Sequence, residues 1–412
     1  MTEKITLREE LIFVLNHASE LEHSLCCSYL FTAMTLKDKA DEGLTPEQLE
    51  AVKRWKRTLN GVAIDEMMHL AIVNSLLVAV GSAPHFDRPN FPHDCAYYMP
   101  ELLIGLEPFN EVTIQHFIAV EQPTGANVPY PITPLGIREF QGSKINEIGP
   151  DAHLLESQGD VYGLIANGVR TLCSRLGESE VFVGPPPRPA VARFFEGNGW
   201  EPAWNLQSTI KAAVQIVEQG EGASGDNPDC HYTKFKNILD EYLALKEQDP
   251  TFEPGRPVLQ NPFARTPPEG YGEFNLITDD LAVDVSDLFN ESYVALLNVF
   301  ARMFVLTEET EEEANTLVEI AIALMVEALL PLGELLCRLP AGPATPGRTA
   351  GPSFVVKTMH ALPYKHAAWK LLSERFTELG NHAGSLAQEG GDQVRPIRTV
   401  QQAFKRMSAM MA

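Results

Sequence analysis

Apolar residues recur at steps of three and four along several long segments, the spacing that one face of an α-helix produces. The first segment is 7–37, and its apolar stripe comprises Leu11, Val14, Leu15, Ala18, Leu21, Leu25, Tyr29 and Ala33. The second segment, 45–81, opens with a helix-start signature, because Thr45 suits the N-cap, Pro46 suits the first helical position and Gln48 completes a capping box. Both segments are therefore predicted to be long helices.

Shorter helical segments follow, separated by stretches rich in proline and glycine. The same spacing predicts helices over 111–121, 159–176, 205–219, from near His231 onwards, and over roughly 286–306, 309–337 and 361–388. The sequence lacks the apolar runs at strand length that a parallel sheet requires. The pattern therefore predicts an all-α fold, with at most short strands inside the long loops.

A proline-rich stretch, 248–284, divides the helical pattern into two parts. A chain of 412 residues is long enough for two domains or for one large helical unit. We predict a helical bundle over 1–247, a linker or wrapping segment over 248–284, and an additional C-terminal helical region over 285–412.

Three ionisable side chains interrupt the predicted apolar faces. Glu22 lies between Ala18 and Leu25 in the stripe of the first helix, and Glu66 and His69 lie in that of the second. Carboxylates are seldom buried unless they are paired or bind a metal. Residues three apart share a helix face, so a carboxylate and an imidazole can converge on one cation. A Glu from one helix with Glu-x-x-His from the next forms half of a di-iron carboxylate site.

Ligands for the other half must come from later segments. The candidates are Glu121 at the end of the short helix, Glu218 and Glu221 at or just past the end of the helix 205–219, and His231 at the start of the next helix. Three of them have an ordinary alternative. Glu121 precedes a Pro-Thr-Gly turn and can face water, Glu221 can belong to a turn, and His231 can simply begin its helix.

The carboxylates of the last third have a different interpretation. Glu327 and Glu334 lie seven residues apart on an apolar helix. We favour the hypothesis that they form salt bridges between helices, with Arg302 or Arg338 as partners, over a second metal site. No phosphate-binding or dinucleotide-binding glycine motif and no nucleophile motif is found.

Charge and cysteine usage exclude several classes of protein. The formal net charge of −23 argues against nucleic-acid binding and against docking on an anionic membrane. The six cysteines form no Cys-x-x-Cys pair, and a disulfide framework is not expected at this length. The polar N-terminus does not resemble a signal peptide. We therefore expect a reduced, cytoplasmic protein.

Several short motifs resemble one known family. They are Leu21-Glu22-His23 through Tyr29-Leu30, Asp65-Glu66-Met67-Met68-His69-Leu70, Gly81-Ser82-Ala83-Pro84-His85-Phe86, Phe117 to Pro123, Ile216 to Gly222, His231-Tyr232 with Phe235, Phe289-Asn290 with Tyr293, Leu339 to Gly342, and Ala350 to Pro352. These motifs resemble the ferritin-like domain of bacterial iminophenyl-pyruvate dimer synthases, the imine-dimerising enzymes of violacein-type and rebeccamycin-type pathways.

The resemblance implies a ferritin-like helical bundle with a metal bound by carboxylates and histidines. It also implies an oxidative step in specialised metabolism, such as the coupling of two amino-acid-derived imines. Two departures stand out. This chain is much shorter than those synthases, and the usual second Glu-x-x-His is replaced by Glu218-x-x-Glu221, so that His231 must supply the second imidazole if there is one.

The leading hypothesis is a non-haem oxidase or oxygenase that uses iron, as two ions, with dioxygen and a small amino-acid-derived substrate. Manganese and zinc also fit mixed Glu and His donors. Tyr29 lies seven residues after Glu22 on the same face and can hydrogen-bond a ligand, although ordinary packing is the more common role. The alternatives are a ferroxidase or iron-handling protein, and a non-catalytic scaffold that partners a pathway enzyme. A homo-oligomer is also compatible with the sequence.

Overall fold

The computed structural model describes most of the 412-residue chain. The described residues are 4–94, 102–123, 157–220, 227–265, 275–305, 308–360, 362–389 and 395–411. Within them the fold is helical, and the only strands in these ranges are two-residue segments, β1 (His93–Asp94) and β2 (Leu103–Ile104), which pair antiparallel. The prediction of an all-α fold is confirmed.

Two long helices form the centre of the molecule. Helix α1 spans Arg8–Thr35 and α2 spans Pro46–Ala79, and the two pack along each other. The capping box of α2 is present: the backbone N–H of Gln48 donates to Thr45 Oγ1 (3.2 Å), and the N–H of Thr45 donates to Gln48 Oε1 (2.9 Å). These bonds satisfy two backbone donors that the first turn of a helix leaves unpaired.

Two further pairs of helices flank the central pair. The next helices are α3 Glu111–Val120, α4 Gln158–Leu176, α5 Glu178–Val181, α6 Pro189–Glu196, α7 Leu206–Gly220 and α8 His231–Gln248. Helix α3 packs on α8, and α4 packs on α7. Because α1 also contacts α4, and α2 contacts α7 and α8, side chains from all these helices can reach the space beside α1 and α2.

The last third of the chain is also helical. Its elements are α9 Asp280–Phe304, α10 Glu311–Ala323, a π-helical segment Leu324–Leu329, α11 Leu330–Leu336, α12 Lys365–Glu389 and α13 Arg395–Met410. The π-helical segment ends two residues before Pro331, which has no N–H to continue the regular hydrogen-bond ladder. Helix α13 was not among the predicted helices.

One buried apolar cluster includes residues from the first helices and from the last third. Tyr293 of α9, for example, contacts α1: its hydroxyl lies 3.2 Å from Cys27 Sγ. The division of the chain at 248–284 remains a prediction about its organisation.

The predicted interhelical salt bridges are present, but their partners differ from those expected. Glu327 pairs with Arg406 of α13 (2.5 Å) and Glu334 with Lys56 of α2 (2.6 Å). Arg302 pairs instead with Glu309 (2.6 Å). Helical spacing identifies which residues share a face, but the opposing helix selects the partner.

Two helices are long and apolar enough to cross a membrane by length and composition alone. They are Pro46–Ala79, whose most apolar window is 78% buried in the fold, and Glu311–Leu336, whose window is 44% buried. A core helix of a globular protein passes the same test, and α2 is such a helix.

A buried carboxyl group outside the central helices predicts a pH-dependent stability. Burial raises the pKa of Glu107 to about 8, from an ordinary value of 4.5, although the neighbouring side chains of Gln260 and Thr113 oppose the shift. The folded chain therefore holds a proton that the unfolded chain releases above pH 4.5, so stability falls as the pH rises from about 4.5 through 8. We expect Glu107→Gln to remove this fall and to raise the free energy of unfolding at pH 8 by about 2–4 kcal/mol.

Urea unfolding of both proteins at pH 5 and pH 8 measures this effect. The glutamine variant should gain stability over the parent only at the higher pH. An equal difference at the two pH values would contradict the assignment.

Candidate metal centre

Helices α1 and α2 bring the first three predicted ligands together. Glu22, Glu66 and His69 are each 0% exposed. His69 Nδ1 lies 2.9 Å from Glu66 Oε2 and 3.4 Å from Glu22 Oε2. The adjacent helices thus bury two carboxylates and an imidazole against one another, as the interrupted apolar stripes predicted.

A second triad forms at two helix ends. Glu121 is the C-cap residue of α3, and His231 is the first residue of α8. Both are 0% exposed. His231 Nδ1 lies 2.9 Å from Glu66 Oε1 and 3.7 Å from Glu121 Oε2. Because α3 packs on α8, the two helix ends meet beside Glu66.

Glu66 belongs to both triads. Glu22, Glu66 and His69 form one group, and Glu66, Glu121 and His231 form the other, with the potential ligand atoms of each group within 4.8 Å of one another. One oxygen of Glu66 faces each imidazole. The arrangement matches two adjacent cation positions that share a carboxylate.

Unsatisfied polar atoms support this reading. Glu22 Oε2, Glu66 Oε1, Glu121 Oε2 and His231 Nδ1 are buried and make no hydrogen bond of good geometry, although His231 Nδ1 and Glu66 Oε1 are only 2.9 Å apart. Buried polar atoms without a partner are costly, and several of them aimed into one space are what a bound cation satisfies. The residues present therefore fit a metal centre.

Each terminal carboxylate receives a tyrosine hydroxyl. Tyr162 of α4 donates to Glu22 Oε1, and Tyr29 of α1 donates to Glu121 Oε1, both at 2.5 Å. In each carboxylate this leaves Oε2 directed towards the triad. Tyr29 thus has a polar role in addition to its packing.

The outer nitrogen of each imidazole has a partner of a different kind. His69 Nε2 lies 3.0 Å from Gln219 Oε1, and His231 Nε2 lies 3.3 Å from Asp65 Oδ2. An N–H donated outward leaves Nδ1 of both rings facing the carboxylates, the usual way in which outer partners orient metal-binding histidines. The two halves of the centre are therefore similar but not equivalent.

Burial and mutual interaction shift the pKa values in this cluster strongly. Burial and the neighbouring Glu66 raise the pKa of Glu22 to about 8. Burial also opposes ionisation of Glu66, but the two imidazoles outweigh it and hold the pKa of this carboxyl well below its ordinary value. Burial disfavours the charged form of His69, yet the carboxylates of Glu66 and Glu22 raise its pKa to about 10. Carboxylates likewise raise the pKa of His231 against the effect of burial.

Two of the sequence candidates are not brought to this cluster by the described structure. Glu218 has an exposed side chain on the outer side of α7, whereas its neighbour Gln219 reaches His69. Successive residues of a helix point about 100° apart, so only one of the two can face the cluster. Glu221 lies outside the described residues.

Sequence reasoning missed three contributors: Tyr162, Gln219 and Asp65. Tyr162 occupies an ordinary apolar position of α4, so periodicity gave no sign of its role. Asp65 could have been found from the sequence, because it is an acidic residue directly before the predicted ligand Glu66.

Comparison with known proteins agrees with this architecture. The Ferritin-like family profile matches residues 15–240, more than half of the chain. The chain belongs to the ferritin-like family. The matched region contains both triads. A solved ferritin-like protein from Caulobacter vibrioides shares the fold, with a TM-score of 0.51 at 15% identity, and the match covers 83% of this chain and 99% of that one.

Two curated relatives of this ferritin-like chain are enzymes. The chain is 28% identical over 426 residues to dichlorochromopyrrolate synthase of Lentzea aerocolonigenes, covering 93% of this chain and 39% of that protein. It is 26% identical over 371 residues to 2-imino-3-(indol-3-yl)propanoate dimerase of Chromobacterium violaceum, covering 85% of this chain and 34% of that protein. The predicted resemblance to imine-dimerising enzymes is confirmed, and the chain spans little more than a third of their length.

Proposed function

We propose that this chain is a metal-dependent oxidative enzyme of specialised metabolism that couples two imines derived from an aromatic amino acid. The observation that carries the proposal is the pair of buried triads that share Glu66. The similarity of the chain to a synthase and a dimerase supports the proposed class of reaction. The substrate and the metal both belong to the proposal.

Two iron ions are the proposed cofactor. Glu22, Glu66 and His69 would hold one ion, and Glu66, Glu121 and His231 the other. Carboxylate and imidazole donors suit iron, and manganese is the closest alternative. Bound iron would supply one-electron redox capacity and a route for electrons to dioxygen.

The proposed coupling is a two-electron oxidation. Two imines, in their enamine form, each lose one hydrogen as a single carbon–carbon bond forms between them. Two electrons and two protons leave the organic molecules, and dioxygen takes up both to become hydrogen peroxide. The chain's own part is to position the reactants, to exclude water and to hold protons near the site.

The protein groups around the centre suit these tasks. Tyr29 and Tyr162 hold the carboxylates of Glu121 and Glu22 in fixed orientations through their hydroxyl groups. Full burial of the five candidate ligands excludes bulk water and strengthens every electrostatic interaction among them.

An anaerobic titration with Fe(II), followed by air and substrate, tests the proposal. We expect about two Fe(II) ions per chain, as in other di-iron bundles, and oxygen uptake on exposure to air. Indole-3-pyruvate mixed with ammonium forms the imine in solution, and mass spectrometry should then detect a coupled product two hydrogens lighter than two imines.

Other outcomes separate the competing functions. Oxygen uptake and iron oxidation without any coupled product would indicate a ferroxidase. A chain that binds neither Fe(II) nor Mn(II) and consumes no oxygen would exclude both iron hypotheses and leave the scaffold role.

A further inference from the structure

An open groove of about 330 Å³ runs between α4 and α7, close to the metal centre. Its lining includes Tyr162, Gly163 and Arg170 from α4, and Val214 and Glu218 from α7. Small-molecule sites typically measure about 300–1,000 Å³, so the groove has room for one small organic molecule.

A single side chain connects this groove to the metal centre. Tyr162 lines the groove, and its hydroxyl donates to Glu22 Oε1 at 2.5 Å. A molecule in the groove would therefore touch a residue that orients one of the proposed ligands. Two cavities beside α2, one lined by Ile72 and Leu76 and one by Met67 and Leu70, are smaller and almost wholly apolar.

The groove carries one positive and one negative group on a lining that is otherwise mostly apolar, with Asn167 as a further polar residue. Arg170 is exposed, and its guanidinium donates to the neutral amide oxygen of Asn167 (3.1 Å). Across the groove, the side chain of Glu218 is also exposed. Apolar surface comes from Val217 and from Val214, which is 52% exposed. This combination is complementary to a zwitterion with an aromatic or aliphatic side chain.

We propose that the groove between α4 and α7 binds the substrate, an aromatic amino-acid-derived imine carrying one carboxylate and one protonated nitrogen. Arg170 receives the carboxylate, Glu218 receives the nitrogen, and the aromatic ring lies on the valines of α7. The assignment of an imine rests on the proposed function, whereas the charge pattern requires only an aromatic zwitterion.

Gly163 keeps the groove open. It lies within helix α4, where glycine is less favourable than alanine. A Cβ at this position would have no atom within 4 Å, so close packing does not require the glycine. A larger side chain can therefore fill the groove without disturbing the helix. Gly61 of α2 is also exposed and also has no atom within 4 Å of a Cβ, and it lies outside the groove.

Fluorine NMR of 5-fluoro-L-tryptophan, a stable aromatic zwitterion, tests the groove with the full chain. We expect saturable line broadening with the parent protein. Gly163→Leu should raise the dissociation constant at least about tenfold, equivalent to about 1.4 kcal/mol, and Arg170→Gln should raise it about fivefold. Gly61→Leu matches the change in helix propensity and should bind as the parent does. Circular dichroism checks that all variants are folded.

Two results would overturn the proposal: no saturable binding to the parent, or equal binding by the Gly163→Leu and Gly61→Leu variants. The binding measurement needs no metal and no turnover, so its result does not depend on whether the proposed coupling reaction occurs. Binding that Gly163→Leu weakens, in a chain that makes no coupled product, would uphold the groove and refute the coupling reaction.

Discussion

Glu66→Ala is expected to abolish the proposed metal binding, with a loss from about two ions per chain to almost none. The reason is that Glu66 offers one oxygen to each triad. Its removal leaves each position with one carboxylate and one imidazole, and leaves the imidazoles buried without their main counter-charge. Metal analysis after reconstitution with Fe(II) and extensive dialysis measures the loss.

Variants on one side of the centre show whether two positions exist. His69→Ala removes a ligand from the first triad, and His231→Ala removes one from the second, so each variant should lose about half of the metal if both positions are filled. Glu327→Ala serves as the control for loss of a glutamate, because Glu327 pairs with Arg406 in the last third and should leave the metal content unchanged. Full metal loading in Glu66→Ala would refute the site.

Glu309→Ala is expected to destabilise the fold by about 3–5 kcal/mol, because it leaves a buried charge without its partner. Arg302 and Glu309 are both 0% exposed at their side chains, and Arg302 Nε donates to Glu309 Oε1 at 2.6 Å. Arg302 also donates to the carbonyl oxygens of Leu362 and Pro363, so the pair ties α9 to the segment that precedes α12. Urea unfolding monitored by circular dichroism measures the change.

A matched exposed pair provides the comparison. Glu327 and Arg406 form an ion pair of similar length, but their side chains are 39% and 51% exposed. Glu327→Ala should therefore cost no more than about 1 kcal/mol, as is usual for surface pairs. If both variants lost a similar free energy of unfolding, burial would not explain how much the Arg302–Glu309 pair contributes to stability.

Much of the fold could be predicted because helix formation follows a local pattern. The long stripes of the first two helices and the Thr45 capping box located all four ends of α1 and α2 to within two residues. Helix α13 was missed, although the spacing of its apolar residues is helical. Loop structure and the choice of salt-bridge partners depend on distant segments, so spacing could not provide them.

The candidate site shows the same division. Glu22, Glu66 and His69 interrupt apolar stripes, so their burial could be read from the sequence. Glu121 and His231 lie at helix ends, where periodicity no longer indicates which way a side chain points. Their convergence is a result of the packing of α3 on α8.

The sequence by itself determined the helical class, the buried carboxylate–histidine motif of α2 and the buried Glu22 of α1. The burial of each of these side chains follows from the apolar residues within a few turns of it on the same helix. Tertiary structure alone decided that Gln219 rather than Glu218 faces His69, and that Tyr162 reaches Glu22 from 140 positions away. Such pairs are set by the rotation and position of whole helices, which follow from the sum of packing contacts along their faces.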